Sequence, residues 1–296
     1  MFALMSSSSS TRPAYAAWVA VCLLWGTTYL AIRIALETIP PMLMGGIRWT
    51  TAGAVILGVM KLRGDPIPHR DEWPSLALLG ILLIGLGNGG VVWAEQTLPS
   101  GLTSVLVAVI PFWMVGVERL AGDAAPITVR RTIGLVVGFG GIVLLVWPEL
   151  ELGEGRAFLL GVLATQVACL GWAIGSSYSR RRRPAENVLA VAAYQMLFGG
   201  LAMFAAGLLH SEWPLLWFNP RTSAAIVYLV VFGSLGGFTA YAYALKHLPV
   251  ATVSLYAYVN PVIAMLLGTL VLSEPLSPRL AVAGAVVLMG MALVRR

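Results

Sequence analysis

The sequence predicts an all-α polytopic membrane protein of ten transmembrane helices, arranged as two inverted-topology five-helix repeats. Three observations predict it. The chain of 296 residues is 58% hydrophobic and only 11% charged, against roughly 25% charged in soluble domains. Apolar stretches close to the roughly 20 residues needed to cross a hydrocarbon core of about 30 Å recur along its whole length. The second half also repeats landmarks of the first at a nearly constant offset.

The spans fall near 14–35, 41–62, 73–97, 99–121, 128–147, 155–178, 186–209, 222–246, 249–272 and 278–294. Short polar or Pro/Gly-rich connections divide them, such as "RGDPIPHRDEWP", "LAGDAAP", "RRRRPAEN" and "SEPLSP", and none leaves room for a soluble domain. The tightest is "EQTLP" at 95–99. Residues 1–13, "MFALMSSSSSTRP", read as a cytoplasmic tail. The span after it is longer than the 7–15 residue apolar region of a signal peptide. Cys22 and Cys169 both lie within spans and read as small packing residues, not as a disulfide framework.

The formal charge of +6 is placed for a membrane, not for nucleic acid. With the N-terminus inside, the inner segments hold Arg12, Lys61, Arg63, Arg70, Arg119, Arg130, Arg131, Arg180, Arg181, Arg182, Arg183, Lys246, Arg295 and Arg296. The outer ones hold only Arg33, Arg156, Arg221 and Arg279, while Glu149, Glu151 and Glu154 sit in the fifth, outer connection. That asymmetry follows the positive-inside rule and puts both termini in the cytoplasm, with the chain in the cell (inner) membrane. "RRRR" at 180–183 then serves as an orientation signal.

Shifting the chain by 150 residues lays Leu98-Pro99 on Leu248-Pro249, Ser104 on Ser254, Pro111 on Pro261, Gly134 on Gly284 and Gly140 on Gly290. At a slightly shorter shift "CLLWG" (22–26) meets "CLGWA" (169–173), which pairs Trp25 with Trp172. Two repeats follow, 14–147 and 155–294. Five spans is an odd number, so the second copy enters from the opposite side. Inverted repeats are the signature of secondary transporters, with the substrate near the midplane where the repeats meet.

The polar residues at depth define the candidate site. Pro111 and Pro261 each sit near mid-span and free a carbonyl four residues back, at Val107 and Ala257; they are candidate hinges, with simple packing kinks as the alternative. Tyr256 and Asn260 share a helix face at i, i+4. "IGLGNGG" (84–90) and "GSLGGFTAYAY" (233–243) set glycine clusters in mid-membrane, with Asn88 among them; they suit either close helix packing or a broken segment approached by ligand. "WGTTYL" (25–30) and "WAIGSSYSRR" (172–181) add Trp25, Thr28, Trp172 and Ser176. Arg48 is the one clearly intramembrane charge and a functional candidate by default. Glu95 is its expected partner, either in a gate or in a structural ion pair. No paired carboxylates, HExxH or phosphate-binding loop occur, so no enzyme, metal or cofactor is expected.

These residues resemble the drug/metabolite transporter superfamily in its ten-helix form with two EamA domains, and bacterial amino-acid exporters of the YddG type within it. "WAEQTLPSGLTSVLVAVIPFW" (93–113), "GWAIGSSYSRR" (171–181) and "SLYAYVNPVIAMLLGTLVLSEPLS" (254–277) carry the resemblance. It implies a cavity between the halves lined by spans one, three, four, six, eight and nine. The implied substrate contacts are Trp25, Thr28, Asn88, Trp93, Trp172, Ser176, Tyr256 and Asn260. Their aromatic surface and neutral hydrogen-bonding groups suit a zwitterion with an apolar side chain better than a phosphate or an organic acid. Efflux of amino acids, efflux of drugs or other metabolites, and a channel or structural role stay open. Asn88 and Asn260 cannot titrate, so gradient-driven movement of the substrate is expected, by a protein acting as a monomer in the bilayer.

Overall fold

The computed structural model describes residues 8–122, 128–151, 155–182, 187–248, 250–253 and 255–295. Residues 1–7 of the tail, Glu154, Arg183, Pro249 and Ser254 lie outside them. Every regular element among the described residues is helical. In chain order they are α1 (Ser8–Ala35), α2 (Pro41–Arg63), α3 (Trp73–Gly80), α4 (Gly89–Ala94), α5 (Ser100–Val107), α6 (Ile110–Leu120), α7 (Val129–Glu151), α8 (Gly155–Arg181), α9 (Val188–Leu209), α10 (Pro220–Tyr228), α11 (Gly237–His247), α12 (Val250–Val253), α13 (Tyr256–Leu272) and α14 (Pro278–Arg295). Two π-helical segments, Ile81–Asn88 and Leu229–Gly236, join α3 to α4 and α10 to α11. Short 3₁₀ turns stand at Arg70–Glu72 and Trp213–Leu215.

Seven helical stretches among the described residues are long and apolar enough to cross a membrane. They are Arg12–Ala35, Pro41–Arg63, Arg70–Ala94, Ser100–Leu120, Gly155–Arg181, Val188–Leu209 and Pro220–Ala244, with shorter apolar helices at Thr132–Leu144, Tyr256–Leu272 and Pro278–Leu293. The chain is therefore an all-α polytopic membrane protein. Two boundaries differ most from the sequence reading. Helix α1 already runs from Ser8, because each residue added to a nucleated helix gains a hydrogen bond. Helix α7 continues to Glu151, so Glu149 and Glu151 belong to a helix end and not to the connection.

Packing between helices uses small residues, as expected where lipid supplies no hydrophobic contrast. Helices α2 and α9 lie side by side, and a Cβ on Gly46 would stand 2.7 Å from the Phe204 backbone, one on Gly200 2.4 Å from Thr50 N. Helices α7 and α14 form a second pair, in which a Cβ on Gly290 would stand 2.4 Å from Gly138 N. The remaining long elements exchange partners. Helix α1 packs on α10, α11, α13 and the second π segment, whereas α8 packs on α4, α5, α6 and the first. Each half of the chain thus contributes its opening helix to the other half.

Carboxylates close helix ends across long stretches of sequence. Glu274 accepts from Ser100 N (3.0 Å), Ser100 Oγ (2.8 Å) and Gly101 N (3.4 Å) at the start of α5. Glu212 accepts from Met42 N (3.3 Å) and Leu43 N (2.9 Å) at the start of α2. These are the donors a helix start leaves unpaired, and an anion there also meets the favourable end of the helix dipole. With Thr38 donating to Thr222 (2.8 Å) and Thr97 to Ala157 O (3.3 Å), they knit one end of the bundle, here called the Glu274 end. The opposite, Arg180 end is held by Arg180 with Glu118, Arg182 with Glu72 (3.3 Å), and Ser75 with Tyr178 (3.0 Å).

Candidate functional site

The centre of the bundle is built around the two π segments, which occupy positions 148 residues apart in the chain. A π-helix bonds i to i+5 and is rare outside functional sites, because its wider turn is poorly packed. Glycines make it tolerable here: Gly85 and Gly87 in the first segment, Gly233 and Gly236 in the second, let neighbouring helices close over the widened backbone. The glycine clusters therefore serve close packing without a break in the helix, since a Cβ on Gly87 or Gly237 would come within 3.2 Å of a tryptophan ring. They mark continuous helices with an altered hydrogen-bond register.

A tryptophan from the opposite half packs on each segment. Trp25 of α1 donates from Nε1 to Gly233 O (3.1 Å). Its ring centroid lies 5.2 Å from Phe238, 5.1 Å from Tyr241 and 4.9 Å from Tyr256. Trp172 of α8 abuts Gly87, where a Cβ would come within 3.2 Å of its ring. The residues paired by the internal repeat thus make matching contacts.

A polar chain continues from the Trp25 cluster into α2. Thr28 is buried, donates to Trp25 O (2.6 Å) and lies against Gly233. Arg48, only 2% exposed, donates from Nε to Ser234 Oγ (2.9 Å), and its guanidinium stands 4.3 Å over the Trp49 ring. Trp49 in turn donates to Asn88 Oδ1 (2.8 Å) and meets Phe238 edge-on at 5.4 Å. The expected contacts Trp25, Thr28, Asn88 and Tyr256 thus share one network across α1, α2, α11, α13 and the two π segments.

Of the other candidates, Asn260 adjoins this network through Tyr256 and the rest stand apart from it. Asn260 is buried against α1; with its amide nitrogen facing Cys22 O (3.2 Å) and Tyr256 O (3.1 Å) it donates to both. Its amide N–H groups thus tie α13 to α1. Trp93 is 36% exposed and, with Trp172 and half-buried Ser176, lies on the α4–α8 side. Pro111 and Pro261, aligned in sequence, occupy different places in their helices. Pro111 opens α6 just after a break at Ala108 and Val109, and Cys169 Sγ approaches Leu106 O (3.8 Å) and the freed Val107 O (4.0 Å). Pro261 lies inside α13, whose start is at Tyr256.

Arg48 and Glu95 do not form the structural ion pair that sequence allowed. Arg48 is turned to Ser234, and Arg33 Nη1 donates to the backbone carbonyl of Glu95, not to its side chain. The Glu95 side chain is 0% exposed and neither of its oxygens has a hydrogen-bond partner. Just beyond it, at the Glu274 end, a depression of about 510 Å³ is lined by Arg33, Leu36, Glu37, Gln96, Leu272 and Glu274. Sequence reasoning also passed over Gln166, at mid-span in α8, whose Oε1 accepts from Trp113 Nε1 (3.0 Å). An amide at that depth was the available signal.

Among the described residues no cluster of His, Cys, Asp and Glu is arranged to hold a metal. The fold and site together define a polytopic membrane protein built around an aromatic and polar centre. The chain belongs to the EamA-like transporter family, whose model matches residues 12–147 and again 159–296. It is 35% identical to the inner membrane transporter YedA of Escherichia coli (strain K12) over 270 residues, 90% of this chain and 85% of YedA. It is 28% identical to the protein PecM of Dickeya dadantii, over 88% of this chain and 84% of PecM. The transporter YoaV of Bacillus subtilis (strain 168) matches at 24% over 88% of each. A protein crystal structure superposes over 98% of both chains with a TM-score of 0.63 at 24% identity, a likeness of fold alone.

Proposed function

We propose that this chain is a secondary transporter that exports amino acids with aromatic or other apolar side chains. It works by alternating access between two inverted five-helix repeats, 14–147 and 155–294. The observation that carries the reading is the matched pair of π segments, each packed by the repeated tryptophan of the opposite half. Coupling of this kind lets the halves rock about a central site, the motion inverted repeats support. Pro111 and Pro261 are the hinges of that motion. The Glu274 end faces outward and both termini face the cytoplasm, in accord with the arginine distribution.

The centre supports the substrate class by its chemistry. It offers the ring faces of Trp25, Tyr241 and Tyr256, the neutral groups of Thr28, Asn88 and Ser234, and the buried guanidinium of Arg48. Trp93, Trp172 and Ser176, on the α4–α8 side, and Asn260, beside Tyr256 on α13, are the further substrate contacts of this proposal. A phosphate or dicarboxylate would need more cationic groups than Arg48. Uptake by purified protein in liposomes, screened across apolar amino acids, organic acids and lipophilic cations, tests the proposal. Saturable flux of the first group supports it, and saturable flux confined to the other two rejects it.

A further inference from the structure

The bundle divides into two groups that the repeats assemble crosswise. Helix α8 gathers α4, α5, α6 and the first π segment, and α1 gathers α10, α11, α13 and the second. Alternating access requires such groups to part at one end while they meet at the other. In this structure they meet at the Glu274 end. Glu274, just past α13, accepts from Ser100 N, Ser100 Oγ and Gly101 N at the start of α5. Arg33, near the end of α1, donates to the carbonyl of Glu95, just past α4. Small residues let the helices close beneath these contacts. A Cβ on Gly268 would stand 2.7 Å from Ser100 Oγ, and one on Gly101 3.1 Å from Met265 Cα.

The two halves of the fourth span differ in what they touch. Before the break at Ala108 and Val109, α5 packs across on α13 and α1; after it, α6 packs on α8 and α14. The ties named at the Arg180 end, Arg180 with Glu118, Arg182 with Glu72 and Ser75 with Tyr178, all stay within the α8 group. On the alternating-access reading, we infer that Glu274 and Arg33 are the latch of an outer gate, shut in this structure. Both line the depression of about 510 Å³ at that end, so the latch borders an opening and not the closed core. There a carboxylate and a guanidinium can exchange their partners for water when the groups separate, whereas a fully buried ion left unpaired cannot. A half-buried charged latch closes the gate without making it permanent.

The test uses the full chain in proteoliposomes and has two arms. A Cβ on Gly101 would lie 3.5 Å from Met265 Cβ, within the distance a disulfide bridges. Oxidising the Gly101→Cys, Met265→Cys double variant should form the crosslink and arrest flux of labelled phenylalanine, with recovery on reduction and no effect of oxidant on either single variant. A contact of structural value alone persists through the transport cycle, so a confirmed crosslink that leaves flux intact overturns the gate. Failure of the folded double variant to crosslink overturns it too. The second arm reads Ser104→Cys, a position 1% exposed and one turn behind the latch in α5. Combined with Glu274→Ala or Arg33→Ala, it should react with an impermeant reagent from outside at least about tenfold faster than alone, because lost charge-assisted hydrogen bonds shift the gate toward its open state. Equal rates overturn the latch. Labelling needs no substrate, so absence of phenylalanine flux rejects the amino-acid reading while this arm still decides the gate.

Discussion

Gly237→Ala places one methyl group against the centre of the site. A Cβ there would stand 2.4 Å from Trp25 Nε1 and 2.9 Å from Cδ1 of the same ring. Ordinary contacts need about 3.5 Å, so the indole must retreat by about 1 Å. That retreat breaks the 3.1 Å bond to Gly233 O, worth about 1 kcal/mol. It also loosens the ring contacts with Phe238, Tyr241 and Tyr256, each worth about 0.5–1.5 kcal/mol. A partial loss of these costs the present ring arrangement about 2 kcal/mol, and if that arrangement alone binds substrate the apparent affinity falls roughly 30-fold at 1.4 kcal/mol per tenfold. Transport in proteoliposomes reads the affinity and thermal unfolding in detergent reads the fold. Gly58→Ala, with nothing within 4 Å of its new methyl, is the control and should leave both unchanged or slightly raise stability. Wild-type transport by Gly237→Ala would refute the placement of Trp25 at the substrate.

The remaining predictions follow from the same geometry. Pro261→Ala and Pro111→Ala should slow transport while leaving the unfolding temperature within a few degrees of wild type; unchanged rates in both would demote the prolines to packing kinks. Cysteines introduced at Ser211 and at Arg63, both exposed and at opposite ends, should react with an impermeant reagent from opposite faces of the membrane, since native Cys22 and Cys169 are buried; labelling of both from outside intact cells would overturn the topology. Glu274→Gln should lower stability by about 1 kcal/mol through loss of the α5 cap, measured as a fall in unfolding temperature. A pH gradient imposed across liposomes holding equal substrate on both sides should drive no accumulation; accumulation abolished by Glu95→Gln would make Glu95 a coupling site.

How much of this was legible in the sequence depends on the range of each interaction. The spans and the tryptophan pair are visible because hydropathy and repetition are properties of the chain itself. The π segments are not. "IGLGNGG" and "GSLGGF" show that the backbone can be approached closely, but the choice between i+4 and i+5 bonding is made by the helices that close over it. Asn260 reads as a polar group in need of a solvent until Cys22 O, 238 positions earlier, supplies the acceptor. The caps of α2 and α5 come from Glu212 and Glu274, about 170 residues away, beyond the reach of any local motif. Arg48 and Glu95 are each legible as buried charges. That they stay apart depends on Ser234 and Arg33, and only the assembled bundle brings those neighbours.

The central claim is saturable transport of an apolar amino acid through this centre. The most direct measurement is uptake of labelled phenylalanine by liposomes containing the purified full chain, with and without excess unlabelled phenylalanine, in wild type and in Trp25→Ala. The account predicts a saturable, competed flux in the wild type that falls at least about tenfold when Trp25 is removed, the effect of losing about 1.4 kcal/mol of aromatic contact with the substrate. A flux that rises linearly with concentration, ignores the competitor and survives Trp25→Ala would contradict it and point to a channel.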